Sequence, residues 1–512
     1  MGGATLLSRI FGFLRDMIVA QFFGAGMATD AFFVAFRIPN LLRRLVGEGA
    51  LTASFIPVYT EYLARRTPEE GGDFLRATFS VLSVFLLVLT GLGVLLAPWI
   101  VKAMAYGFSQ EPEKLELTVL LTRLMFPYIF FIGLVALAMG VLNSRKHFFA
   151  PALAPVLLNL SIIVCVLGFS RFLETPILAL ALGVLLGGVI QLLFQWPFLR
   201  RRGISLGFAF APSHPGVKRI AALMAPSVLG LAVTQLNVLV STFLASYLPE
   251  GSVSYLYYAD RLLEFPMGIF AIAMATAVLP VMSEQAAKDD WENLRETLSF
   301  ALRLVFFVTL PAMVGLIVLG KPILNLLFQR GAFTALSTEM TAQALLFYSL
   351  GLAGFAGVRI VVPVFYSLQD TKTPVKVAFA ALAANALLGA LLMGPLKHGG
   401  LALATSLAAG LNFSLLVFLL RKKMGKIGLG KISLSFSKSL GASLIMGAAA
   451  FGISRQGEWG QAGVTPEKVG LLTGSMVAGI AIYGASAYLL KSEELGFVLE
   501  GIGKKIGLFS KK

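Results

Sequence analysis

The run "FSVLSVFLLVLTGLGVLLAPWIV" (residues 79–101) contains no charged side chain and no polar alternation. A helix needs about 20 such residues to cross roughly 30 Å of hydrocarbon. A strand of a membrane barrel is half that length and alternates, so this run reads as a transmembrane helix. "VGLLTGSMVAGIAIYGASAYLL" (469–490) reads the same way. Of the 512 residues, 57% are hydrophobic and only 13% are charged, which places the chain among polytopic membrane proteins rather than soluble domains. No cleavage site follows a basic start, so the first apolar segment is expected to stay as a helix.

Reading apolar windows against Pro, Gly and charge gives an all-α fold of fourteen spans. They are approximately 5–24, 29–60, 76–101, 117–142, 151–170, 176–199, 218–248, 253–283, 297–320, 339–367, 373–394, 399–420, 437–454 and 468–490. The second and eighth are long for one crossing and are expected to project from the bilayer or to break at Pro39 or Pro266. Of the 42 Lys and Arg residues, 26 fall in connections after even-numbered spans and the tail, against 9 after odd-numbered ones. This asymmetry puts both termini in the cytoplasm and removes any need for a nucleic-acid partner to explain the net charge of +16. The other seven, all arginine, lie within spans: Arg9, Arg15, Arg37, Arg43, Arg44, Arg261 and Arg359.

The chain repeats itself. "PVYTE" (57–61) recurs as "PVMSE" (280–284), "LRATFS" (75–80) as "LRETLS" (294–299), and "APALAPVLLN" (150–159) loosely as "TPVKVAFAALAAN" (373–385). Ordered matches at nearly one offset indicate a duplicated six-helix unit, with the two copies in the same orientation. The expected organisation is an N-terminal lobe (1–212), a C-terminal lobe (213–425), and an appendage of two helices with a basic cytoplasmic tail (426–512).

Charges within spans are costly and normally face a partner or a wet cavity. Arg9 and Asp16 share a helical face, with Arg15 beside it. Asp30, Arg37, Arg44 and Glu48 form one stripe if the second helix runs straight, with Arg43 adjoining. Asp260, Arg261 and Glu264 share a side of the eighth span. Each could be an ion pair holding helices in register or an arginine snorkelling to an interface. Taken together, surplus arginine on the first two helices of each repeat expects an anionic ligand between the lobes, most simply a phosphate or pyrophosphate.

Catalysis and metals find little support. The single cysteine, Cys165, rules out an intrachain disulfide, and His147, His214 and His398 lack a second ligand at helical spacing. The acidic cluster "KDDWE" (288–292) reads as a solvated loop, so neither a metal, a cofactor nor an enzyme acting on polyprenyl phosphates is expected. A cation or drug antiporter would want an acidic, aromatic site. An exporter of another lipid-linked glycan is the nearer alternative.

"SRIFGFLRDMIVAQFFGAG" (8–26), "TDAFFVAFRIPNLLRRLVGEGALTASFIPVYTEY" (29–62), "YYADRLLEFP" (257–266) and "QDTKTPVK" (369–376) resemble the MurJ (MviN) family of bacterial lipid II flippases. That family belongs to the multidrug/oligosaccharidyl-lipid/polysaccharide exporter superfamily. The resemblance implies two six-helix lobes, two further helices forming a groove for a prenyl tail, and a multi-pass protein of the bacterial inner membrane. The implied task is alternating-access transfer of undecaprenyl-pyrophosphate disaccharide-pentapeptide to the outer leaflet for peptidoglycan synthesis. It also implies that Arg9, Arg15, Asp16, Asp30, Asn40, Arg43, Glu48, Asp260, Arg261 and Glu264 line the substrate cavity. The implied working unit is a monomer among membrane lipids, with cell-wall synthesis enzymes as candidate partners. Some members hold sodium with acidic residues on helices 7, 11 and 12. Here those helices offer Thr234, Gln235, Asn237, Asn385, Thr405 and Asn412, without a carboxylate.

Overall fold

The computed structural model describes residues 2–44, 51–204 and 206–506. Glu48, with Gly47 and Gly49, lies outside the described residues, as do residues 507–512 of the expected tail and the side chain of Thr234. Among the described residues helices are joined by short connections, and there is no strand.

The first half contains α1 (Gly2–Phe23), α2 (Met27–Leu42), α3 (Leu51–Arg65), α4 (Pro68–Met104), α5 (Pro112–Met125), α6 (Tyr128–Ser144), α7 (Phe149–Phe169), α8 (Leu178–Arg200) and α9 (Pro215–Ala245). The second contains α10 (Ser252–Pro266), α11 (Ile272–Ala287), α12 (Trp291–Phe328), α13 (Ala335–Ser349), α14 (Leu352–Ser367), α15 (Lys372–Met424), α16 (Leu429–Ser454), α17 (Pro466–Leu489) and α18 (Glu493–Ile506). Among the described residues, eight helices are long and apolar enough to cross a membrane, and the bent pair α13 and α14 adds a ninth.

The duplication is visible in where elements start and stop. α5 begins at Pro112 and α13 at Ala335, α6 ends at Ser144 and α14 at Ser367, and α7 begins at Phe149 and α15 at Lys372. Each pair is separated by the same interval as "PVYTE" and "PVMSE". Even the stop signal repeats: Lys146 and Gln369 both take φ 57. Their successors His147 and Asp370 donate backbone hydrogen bonds of 2.8 Å back to Leu142 and Phe365, which closes both helix ends alike.

The breaks follow from proline and glycine. α10 ends at Pro266 and gives way to a π-helical turn over Met267–Ala271 before α11, so the eighth span is interrupted where its proline removes a donor. Pro39 behaves differently and lies inside α2. α15 bends at Lys397 (φ 50, ψ −131), which divides it into two limbs.

The chain forms two compact units, residues 1–254 and 255–512. α9, first helix of the expected second lobe, packs on α3 and α4 and so lies with the first unit. Phe55, Tyr59 and Phe74 stack in this unit's core, with ring centroids 5.1 and 6.1 Å from Phe55. Gly93 lets α4 approach the break before α6, since a Cβ there would sit 1.7 Å from the Phe126 ring. In the second unit Phe306 meets Phe413 and Phe436 edge-on. α16 and α17 pack against α12 through Phe307, Val314, Met446 and Tyr483, and the Tyr483 hydroxyl donates to the Phe307 carbonyl. Outward-facing Leu444, Phe451, Val477 and Ile480 give this pair an apolar exposed side.

Candidate functional site

In the first unit Arg15 and Asp16 are both buried, at 8% and 2% exposure. Arg15 donates from Nε and Nη2 to Asp16 Oδ1 at 3.0 and 2.6 Å, and from Nη1 to Asn159 Oδ1 of α7 at 3.1 Å. One planar guanidinium thus spans a neighbouring carboxylate and an amide from a second helix, a geometry that lysine's single ammonium cannot reproduce. Asn159 in turn donates to the Ser8 carbonyl at 3.4 Å. Arg9, two turns before Asp16 on the same face, is exposed.

The second helix behaves as two parts. Arg37 donates to the Thr242 hydroxyl of α9. Arg43, at the end of α2, donates from Nε and Nη2 to Asn40 Oδ1 at 3.2 and 2.8 Å, so two of the expected cavity residues are paired within one turn. Arg44 is exposed.

Asp30 departs from the expected arginine stripe. Its carboxylate is 1% exposed and pairs with Lys114 Nζ of α5 at 3.2 Å. It also accepts from the backbone of Gly251 and Ser254 at 2.8 and 2.9 Å and from the Ser254 hydroxyl at 2.7 Å. Both carboxylate oxygens therefore fasten the connection after α9 to α2, and among the described residues Asp30's ion-pair partner is a lysine, not an arginine. Lys114, itself 1% exposed, stands 4.3 Å over the Phe108 ring. Its place near a connection gave no sequence signal of burial.

In the second unit Arg261 of α10 donates to Glu264 Oε2 at 2.8 Å, and from Nε and Nη2 to the Tyr257 hydroxyl at 3.2 and 2.9 Å. It also lies over the Tyr257 ring, 5.0 Å from the centroid. Tyr257 sits one turn before Arg261, a spacing that would have identified it. Asp260 and Arg359 are exposed. These two arginine clusters can each hold a phosphate oxygen by exchanging an acidic or amide partner for it, because guanidinium donors match oxyanions in geometry and charge.

Other candidate positions carry structural contacts. His147 turns out of α6 beside Arg202 at 2.9 Å, His214 caps α9 by accepting from the Gly216 amide, and His398 bonds the Met340 carbonyl. Thr405 donates to Asn385 at 3.3 Å in the second unit. Among the described residues no group of three or more His, Cys, Asp or Glu converges as metal ligands would.

With this geometry in view, comparisons with known proteins agree with one another. Residues 19–467 match the family model described as "Lipid II flippase MurJ". A probable lipid II flippase MurJ of Vibrio cholerae is 39% identical over 495 residues, covering 95% of this chain and 94% of the relative. A lipid II flippase MurJ of Burkholderia cenocepacia is 38% identical over 489 residues, covering 94% and 95%. Among solved structures, a lipid II flippase MurJ in an inward closed conformation aligns with a TM-score of 0.79 at 28% identity, covering 95% of this chain and 98% of that one. An inward-facing MATE multidrug transporter aligns at 0.67 with 17% identity over 82% and 95%, a likeness of fold alone. By sequence along nearly its whole length and by fold, the chain belongs to the MurJ family.

Proposed function

We propose that this chain is a lipid II flippase of the bacterial inner membrane, carrying the undecaprenyl-pyrophosphate-linked peptidoglycan precursor from the inner to the outer leaflet. The observation that carries the reading is the match to lipid II flippases along 95% of the chain, together with buried arginine in otherwise apolar helices. It makes and breaks no covalent bond, so it is a transporter and not an enzyme.

In this reading the fourteen spans cross the membrane with both termini in the cytoplasm, as the Lys and Arg asymmetry supports. Residues 1–212 and 213–425 act as two lobes, an assignment supported by element boundaries that recur at one interval. Residues 426–512 add the helix pair whose exposed apolar side suits a prenyl tail. Arg9, Arg15, Arg43 and Arg261 take the pyrophosphate in exchange for Asp16, Asn40 and Glu264, while Glu48 and Asp260 help to balance the charge. Asp30 acts by holding the connection after α9 rather than by touching substrate. Rocking of the lobes then exposes the headgroup to the far side. The monomer suffices, and cell-wall synthesis enzymes use the delivered product.

Cells depleted of their own flippase test this. The wild-type chain should restore growth, while Arg15→Ala and Arg261→Ala forms, inserted at the same level, should not. Growth restored by neither wild type nor variants would remove the transport reading; full rescue by both variants would remove the arginine mechanism.

A further inference from the structure

Where the end of α14 meets the two limbs of α15, a cavity of about 360 Å³ is lined by Lys376, Lys422 and Lys423, with Asp370 and Thr373 at one side and Phe365 and Leu419 as an apolar wall. The aspartate does not balance these charges. It accepts from the Thr373 amide at 3.0 Å, the Thr373 hydroxyl at 2.8 Å and Lys423 Nζ at 3.0 Å. One lysine is thereby neutralised, and Lys376 and Lys422 have no carboxylate partner among the described residues. The start of α15 adds the partial positive charge of a helix N-terminus.

A second feature says what kind of anion fits. Lys422 has Phe418 one turn before it and Lys376 has Phe379 one turn after it, so on each limb an aromatic ring lies a turn deeper on the same face. Phe418 is 64% and Phe379 48% exposed, as side chains facing acyl chains would be. A free phosphate ion gains nothing from these rings, whereas a lipid places its headgroup at the lysines and its chains over the phenylalanines. Basic pockets between transmembrane helices on the cytoplasmic side bind phospholipid headgroups by this combination.

We propose that this cavity is a binding site for the phosphodiester headgroup of an anionic inner-leaflet glycerophospholipid, separate from the arginines assigned to transport. The site rests on the membrane orientation proposed above and not on the identity of the transported lipid. Native mass spectrometry of the detergent-solubilised full chain, titrated with phosphatidylglycerol and separately with inorganic phosphate, tests it. Each lysine at an anionic headgroup contributes about fivefold, so K376Q/K422Q should weaken the tightest phosphatidylglycerol binding about 30-fold. K146Q/K218Q, which removes equal charge elsewhere, should leave it unchanged. Lipid II binding measured on the same samples should be equal in both double variants, so failure of the transport reading would show separately as no lipid II binding by wild type. Equal phosphatidylglycerol affinity in the two double variants overturns the site. Loss of inorganic phosphate binding alone in K376Q/K422Q overturns the lipid assignment in favour of a soluble anion.

Discussion

Replacing Arg15 by lysine keeps the charge but loses the fork that joins Asp16 to Asn159. A charge-assisted hydrogen bond is worth about 1.5 to 3 kcal/mol, so Arg15→Lys should lower transport about tenfold or more while the protein still inserts, as read by flipping rate at matched expression. Asp30 calls for the opposite readout. Asp30→Asn leaves the buried Lys114 ammonium only the longer ion pair to Glu111 at 3.8 Å, and breaking a buried pair costs up to about 3 to 5 kcal/mol, so the unfolding temperature in detergent should fall. Adding Lys114→Met should recover most of that loss; a double variant no better than the single would refute the clasp. At the membrane edge, Asp370 is held at about 2, chiefly by the Thr373 amide and then by Lys423 and the Thr373 hydroxyl acting against partial burial. Its folded value lies below the unfolded one, so the stability it supplies is full above about pH 4 and is lost as pH falls toward 2. The melting difference between wild type and Asp370→Asn should shrink over that window and stay constant above it. Arg15 with Asp16 and Arg261 with Glu264 could be read from sequence because the partners are near neighbours. Asn159 and Lys114 could not, since their partners are remote in the chain and their own surroundings carry no unusual pattern.

Helices hold their places here by close approach of small residues more than by length. Gly93→Val should lower the unfolding temperature markedly, because even a Cβ would fall inside the Phe126 ring and overpacking costs about 1 to 3 kcal/mol or more. Gly91→Val, on the opposite face of the same helix with nothing within 4 Å, should be tolerated and serves as the measured control. The helical nature of the longest apolar runs was legible in the sequence, since twenty apolar residues in a row admit one reading in a membrane; among the described residues eight or nine such spans stand out, where fourteen were expected. The interruption after Pro266 was legible as well, because proline removes a specific backbone donor. The bend at Lys397 was legible too, as the gap between the spans 373–394 and 399–420, beside Pro395. The break between α5 and α6 was not, because 117–142 reads as one apolar run although Pro127 stands at the break. Pro39 shows the limit of the proline rule: a single proline is accommodated where the surrounding helix is buried, as Thr29 to Phe36 are.

At the scale of the molecule, the duplicated boundaries and the charge asymmetry describe a transporter built from two copies of one design, loaded unequally with charge. Arg15 and Asp16 have no charged counterpart in the second copy, where Val238 and Leu239 stand at the same interval, and Arg261 and Glu264 answer to Ile38 and Leu41. The most direct measurement is the accessibility of lipid II to an outer-face probe in cells depleted of their own flippase. The account predicts labelled lipid II with the wild-type chain and background labelling with Arg15→Ala and Arg261→Ala at equal membrane abundance. Background labelling with the inserted, stable wild-type chain would contradict it.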